Sequence, residues 1–61
     1  MQEFAAATID GEVIGPVRPA AHIAQRDAQL AAFRDRTQAF YVAVRHPGRD
    51  WYVQSWTAVR L

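Results

Sequence analysis

The chain has 61 residues, 51% of them hydrophobic, with no cysteine and a formal net charge of +1. That length fits one small domain near the lower limit of independent stability, and without cysteine neither a disulfide nor a cysteine-bound metal can stiffen it. Seven Arg and no Lys against six acids is too even a balance to announce nucleic acid or a membrane surface by charge alone. No stretch approaches the ~20 apolar residues that cross a bilayer.

The charges are unevenly placed. Residues 1–17 carry Glu3, Asp10 and Glu12 and no basic side chain, whereas all seven Arg lie in residues 18–61 with Asp27, Asp35 and Asp50. An acidic end and a basic remainder suit self-association or a partner of mixed charge. The N-terminus has neither the basic residues nor the apolar run of a secretory signal. Met1 reads as the start of a complete small reading frame, and the cytoplasm is the expected compartment.

Residues 4–15 read as an N-terminal hairpin. Asp10-Gly11 between Ile9 and Glu12 is a two-residue hairpin signal that pairs Thr8 with Val13 and Ala7 with Ile14. Ala5 to Ala7 are weak strand formers, so the first arm is expected to be short. Gly15-Pro16-Val17-Arg18-Pro19 follows as a stiff connector. Pro19 suits the first position of a helix, where a missing N–H costs nothing.

Residues 20–36 read as the single helix, rich in Ala, Gln, Arg and Leu. At 100° per residue Ile23 and Leu30 share one stripe, while Ala20, Ala24, Ala28 and Ala31 form a smooth second one. Asp27 and Arg34 divide the two. His22, Gln25, Arg26, Gln29 and Arg36 make a wet side with Phe33 at its edge. The Ala stripe fits either close approach to the sheet or contact with a second surface. The Ile23/Leu30 stripe is expected to pack on Phe40, Val42, Val44, Val53 and Val59, with Trp51 closing that core.

Residues 39–61 read as a C-terminal hairpin turning at Pro47-Gly48-Arg49-Asp50, with Pro47 and Gly48 suited to a type I or II turn. A midpoint at Gly48-Arg49 sets Val44 against Val53, Val42 against Ser55 and Phe40 against Thr57. Alternation then sorts the side chains. Phe40, Val42, Val44, Trp51, Val53, Val59 and Leu61 form a core face. Tyr41, Arg45, Tyr52, Gln54, Trp56 and Arg60 form the other, with Ala39, Ala43 and Ala58 between them and Tyr41 opposite Trp56. The whole is expected to be an α+β domain, a small two-layer ββαββ arrangement with one helix packed on an antiparallel sheet.

Chemistry is thinly represented. Ser55 falls on the core face with no Gly-rich elbow, and Thr8, Thr37 and Thr57 have no His at a suggestive spacing. His22 and His46, even with Asp50, match no zinc spacing. Gly11, Gly15 and Gly48 are isolated turn glycines, not a phosphate loop. No enzyme, cofactor or metal is therefore expected. Tyr, Trp and Arg on one sheet face are the residue types of protein–protein hot spots. The same types can stack single-stranded bases and meet phosphate, yet the basic excess is small for binding that depends on phosphate neutralisation. The expected function is a non-catalytic protein-binding module, an inhibitor or adaptor, with Tyr41, Arg45, Tyr52, Gln54, Trp56 and Arg60 meeting the partner. Nucleic-acid binding through that face is the alternative. A homodimer is expected, since a monomer rarely leaves so large an apolar patch in water. Size and composition suit a small accessory protein of the sort phages and plasmids carry.

Overall fold

The computed structural model describes residues 1–61. In chain order the elements are β1 (Glu3–Ala7), α1 (Ala21–Arg34), β2 (Phe40–Arg45) and β3 (Tyr52–Val59). The three strands form one antiparallel sheet in the order β1-β2-β3, with α1 packed on it. The α+β class expected from the sequence is what forms. The second arm of the N-terminal hairpin departs from it and makes two isolated bridges, Ala7 to Val13 and Phe4 to Arg18, not a strand. Pro16 has no N–H to offer a ladder, and Gly15 and Pro16 interrupt the extended run between the bridges.

The first turn is one residue longer than expected. The Gly11 N–H donates to the Thr8 carbonyl at 3.0 Å and the Thr8 N–H to the Glu12 carbonyl at 3.0 Å. Three residues, Ile9 to Gly11, therefore span the turn, with Gly11 at φ +88°. A side chain rarely adopts that angle, so Gly11 is what permits the turn. Val13, not Ile14, consequently lies beside Ala7.

The helix meets the sheet through alanine. Ala24, Ala28 and Ala32 recur every fourth residue and are fully buried. Ala28 and Ala32 form one cluster with Ala6 of β1 and Phe40 of β2, with Ala31 and Val59 packed at its margin. Small side chains let the helix backbone approach the sheet closely. The expectation that Ile23 and Leu30 form this contact is corrected: Ile23 is half-buried and Leu30 is 55% exposed. A Leu on the facing stripe would hold the helix further away, so the Ala stripe takes the sheet and displaces the bulky one to the flank. Seven of the nine buried residues are Ala, joined by Phe40 and Val42. Such a core removes little apolar area per residue from water, which leaves a thin stability margin.

Polar contacts fasten the layers. Arg18 lies beside β1, exchanging backbone hydrogen bonds with Phe4 at 2.9 and 2.6 Å. Its guanidinium donates twice to Asp27 of α1, Nε to Oδ2 at 2.7 Å and Nη2 to Oδ1 at 3.1 Å. The hydrogen bonding it donates to Asp27 raises the Arg18 pKa above its ordinary value, and the paired geometry is the specific one for a guanidinium. The helix starts after an extended Ala20 that makes no side-chain cap, so Pro19 precedes the cap and does not open the helix. At the other end Asp35 leaves the helical conformation and its N–H donates to Ala31 O at 2.9 Å. Its carboxylate accepts from the Thr37 N–H at 3.0 Å, the Thr37 hydroxyl at 2.5 Å and the Gln38 amide at 3.0 Å.

Two outcomes follow from this packing. Ala28→Leu should cost about 1–3 kcal/mol through overpacking, while Leu30→Ala should cost about 1 kcal/mol or less because half that side chain is already wet; thermal midpoints of the two variants measure the contrast. The three hydrogen bonds, that from the Thr37 hydroxyl foremost, lower the Asp35 pKa from 3.8 to about 2. A depressed folded-state pKa stabilises above the unfolded value and loses that stabilisation as pH falls. Carboxyl NMR titration should find Asp35 ionised down to about pH 2, and Thr37→Ala should move its titration upward.

Candidate functional site

The β2–β3 turn decides which side chains share a face. The Arg49 N–H donates to the His46 carbonyl at 2.9 Å, with Pro47 and Gly48 between them and Gly48 at φ +82°. Pro followed by a positive-φ Gly makes this a type II turn. Asp50 is left over on the β3 side, so the register is Val44 to Tyr52, Ala43 to Val53 and Val42 to Gln54. This is one residue from the expected pairing of Val44 with Val53. A slip of one residue sends every side chain to the other face.

The predicted Tyr/Trp/Arg face is accordingly divided. Tyr52 and Gln54 lie beside Val44 and Val42 and share their face, the one α1 packs on. Tyr41, Arg45 and Val53 lie on the opposite face with Ala43 and Ala5. Val53 is thus not part of the helix-side core. Trp51 does not close that core either: the Arg45 guanidinium sits 4.3 Å from its ring centroid. Arg45 also donates from Nε to Glu3 Oε1 at 2.8 Å. It bridges β1 and the start of β3, a cation–π contact and an ion pair that fix its position.

A bulge then resets the register. Beyond Gln54 the next matched pair is Phe40 with Val59, so Ser55 to Ala58 oppose Tyr41 alone. This replaces the expected Tyr41–Trp56 pair, and it returns Val59 to the helix side against the core cluster. Thr57 stabilises the irregularity. Its hydroxyl accepts the Val42 N–H at 2.8 Å and donates to the Gln54 carbonyl at 2.5 Å, standing in for the interrupted ladder. Nothing in the spacing of Thr57 marks it for this role, because the role exists only once β3 is irregular.

The two most exposed aromatic side chains lie on β3, with Phe33 of α1 close behind at 61%. Trp56 is 72% and Tyr52 64% exposed, and Arg60 lies exposed just past the strand end. Tyr52 and Arg45 border a groove of about 380 Å³ with Gln2, Val44, His46, Arg49 and Asp50. A second groove, of about 360 Å³, runs between the connector and the helix. Ile14, Pro16, Leu30 and Arg34 line it over a floor of Ala6 and Phe40. Leu30, expected in the core, faces this groove. The sequence held a hint, since Leu30 is four residues from Arg34 and three from Asp27, both polar and on the same side.

No three His, Cys, Asp or Glu side chains gather where they could hold a metal ion, and no helix is long and apolar enough to cross a membrane. No known protein family, curated protein or solved structure matches this chain.

The bulge supplies the test of this geometry. Thr57→Val keeps the shape but leaves the buried Val42 N–H without its acceptor, which should cost about 1–3 kcal/mol. Thr57→Ser keeps the hydroxyl and should cost less. Urea unfolding of the pair measures the difference.

Proposed function

We propose that this chain is a non-catalytic protein-binding module, an inhibitor or adaptor that works through β3 and also self-associates. The observation that carries the reading is the pair of aromatics, Tyr52 and Trp56, held well exposed on an edge strand. Tyr and Trp present large rigid contact area at low entropic cost and dominate interface energetics. An alanine-rich core gives the chain a second reason to bind, since burying those rings against another surface supplies apolar area that the interior lacks. Arg49, Asp50 and Arg60 add a polar rim around them. The cytoplasm is the proposed setting.

The nucleic-acid alternative is weaker on this geometry. Arg45, central to that reading, is engaged with Glu3 and Trp51, and Tyr41 points away from Tyr52. Arg49 and Arg60 alone are a sparse phosphate grip. Binding of labelled single-stranded and duplex oligonucleotides at two salt concentrations tests it, beside partner capture with the wild type and Trp56→Ala. The protein-binding reading expects a captured partner that Trp56→Ala loses, and no sub-micromolar oligonucleotide complex. Tight oligonucleotide binding with a log–log salt slope of about −0.7 per phosphate contact would overturn it.

A further inference from the structure

We propose that the groove between the connector and α1 is a docking site for an acidic peptide segment of another protein, seated by one bulky apolar side chain. This site lies on the β1 side of the sheet and goes beyond the binding surface proposed on β3.

The shape of the groove suits a chain segment. It holds about 360 Å³, near the low end of the ~300–1,000 Å³ usual for ligand sites. Ala6 and Phe40 give it an apolar floor, and Ile14, Pro16 and Leu30 stand at its sides. The floor is already dry, since Ala6 is 1% and Phe40 4% exposed. The sides are not, with Leu30 55% and Ile14 42% exposed. A small molecule enclosed between them would leave their outer surfaces wet. A segment lying along the groove covers sides and gap together, and the apolar area so removed from water supplies affinity.

Charge selects an acidic occupant. Two acids border the groove, and both are answered within the chain. Asp27 accepts two hydrogen bonds from Arg18, and Asp35 accepts three from Thr37 and Gln38. The bases are not answered. Arg34 borders the groove, and Arg26 lies one turn before Leu30 on the same side of α1. Both are exposed, and neither forms an ion pair. Arg18, Arg26 and Arg34 against Asp27 and Asp35 leave the local balance positive. The row Arg26, Leu30, Arg34 therefore sets an apolar anchor point between two free cations. An apolar residue with acids on either side matches that row. Nucleic acid would match the charge but not the groove, because its bases stack on exposed rings and the one ring in the lining, Phe40, is buried.

Selection of a displayed library of random peptides on the immobilised full chain tests this, followed by fluorescence titration of the enriched peptides. They should carry Asp or Glu on both sides of a Leu, Phe or similar residue, and their binding should shift the NMR methyl signals of Ile14 and Leu30. Leu30→Glu removes the anchor and gives Arg26 and Arg34 a carboxylate of the chain's own, so it should weaken binding by about ten-fold or more. Leu30→Ala should weaken it less, and Arg34→Gln by about three-fold. Leu30 and Arg34 are exposed, so the variants should fold, which circular dichroism checks. No enriched peptide, an enriched set without acids, or binding that leaves the Ile14 and Leu30 signals in place overturns the proposal. Peptides lost on Trp56→Ala but kept on Leu30→Glu also overturn it, and leave the β3 reading standing. A labelled single-stranded oligonucleotide that outcompetes the peptides and moves the same methyl signals would give the groove to nucleic acid instead.

Discussion

Close approach between the α1 backbone and the sheet is the constraint on which the rest of the structure depends. Ala24, Ala28 and Ala32 present a flat strip, and Ala6 answers it from β1 beside Phe40. Helix propensity makes alanine easy to use there, but the cost is a core that removes little apolar surface from water. The helix ends add limited support: Ala20 offers no cap, and only Asp35 organises the exit. The paired hydrogen bonds between Arg18 and Asp27 therefore matter beyond their own energy, because they tie the connector, the β1 edge and the helix to one point.

The bulky residues that alanine displaces are what the outside world meets. Leu30 moves to the flank and borders the groove beside Ile14 and Pro16. On the sheet, β3 carries Tyr52 and Trp56 in water. A domain of this size with larger residues inside could present a quieter surface. Here the same packing decision that brings helix and sheet together leaves apolar area exposed, and association is the general remedy for such area.

Two local devices decide how that area is arranged. The type II turn at Pro47-Gly48 shifts β3 by one residue, and the bulge held by Thr57 shifts it again. Between them β3 changes which alternate side chains face α1. Tyr52 and Gln54 lie on the helix side near the turn, whereas Val59 takes that side at the far end. Arg45 is held by Glu3 and Trp51 where it borders the groove beside Tyr52. The outcome is an edge strand with exposed aromatics and charges only at its ends, a better description of the candidate site than a flat Tyr/Trp/Arg platform.

The sequence by itself determined the elements that local chemistry controls. The helix lies within residues 20–36, the turns fall where Gly11 and Gly48 stand, and Phe40 and Val42 are core. Propensity, the φ freedom of Gly and hydrophobic alternation act over a few residues and are readable there. The prominence of Tyr52 and Trp56 on β3 was legible too. Only the tertiary structure decided which helix stripe is buried, because Ile23 and Leu30 outrank alanine in hydrophobicity but not in closeness of fit. It also decided the register of β3, since a one-residue difference in a turn costs little locally yet inverts every face it leads to. The Thr57 bulge and the loss of the N-terminal arm's second strand belong to the same class: they arise when strands of unequal chemistry must pair at a distance, and no window of neighbouring residues contains both partners.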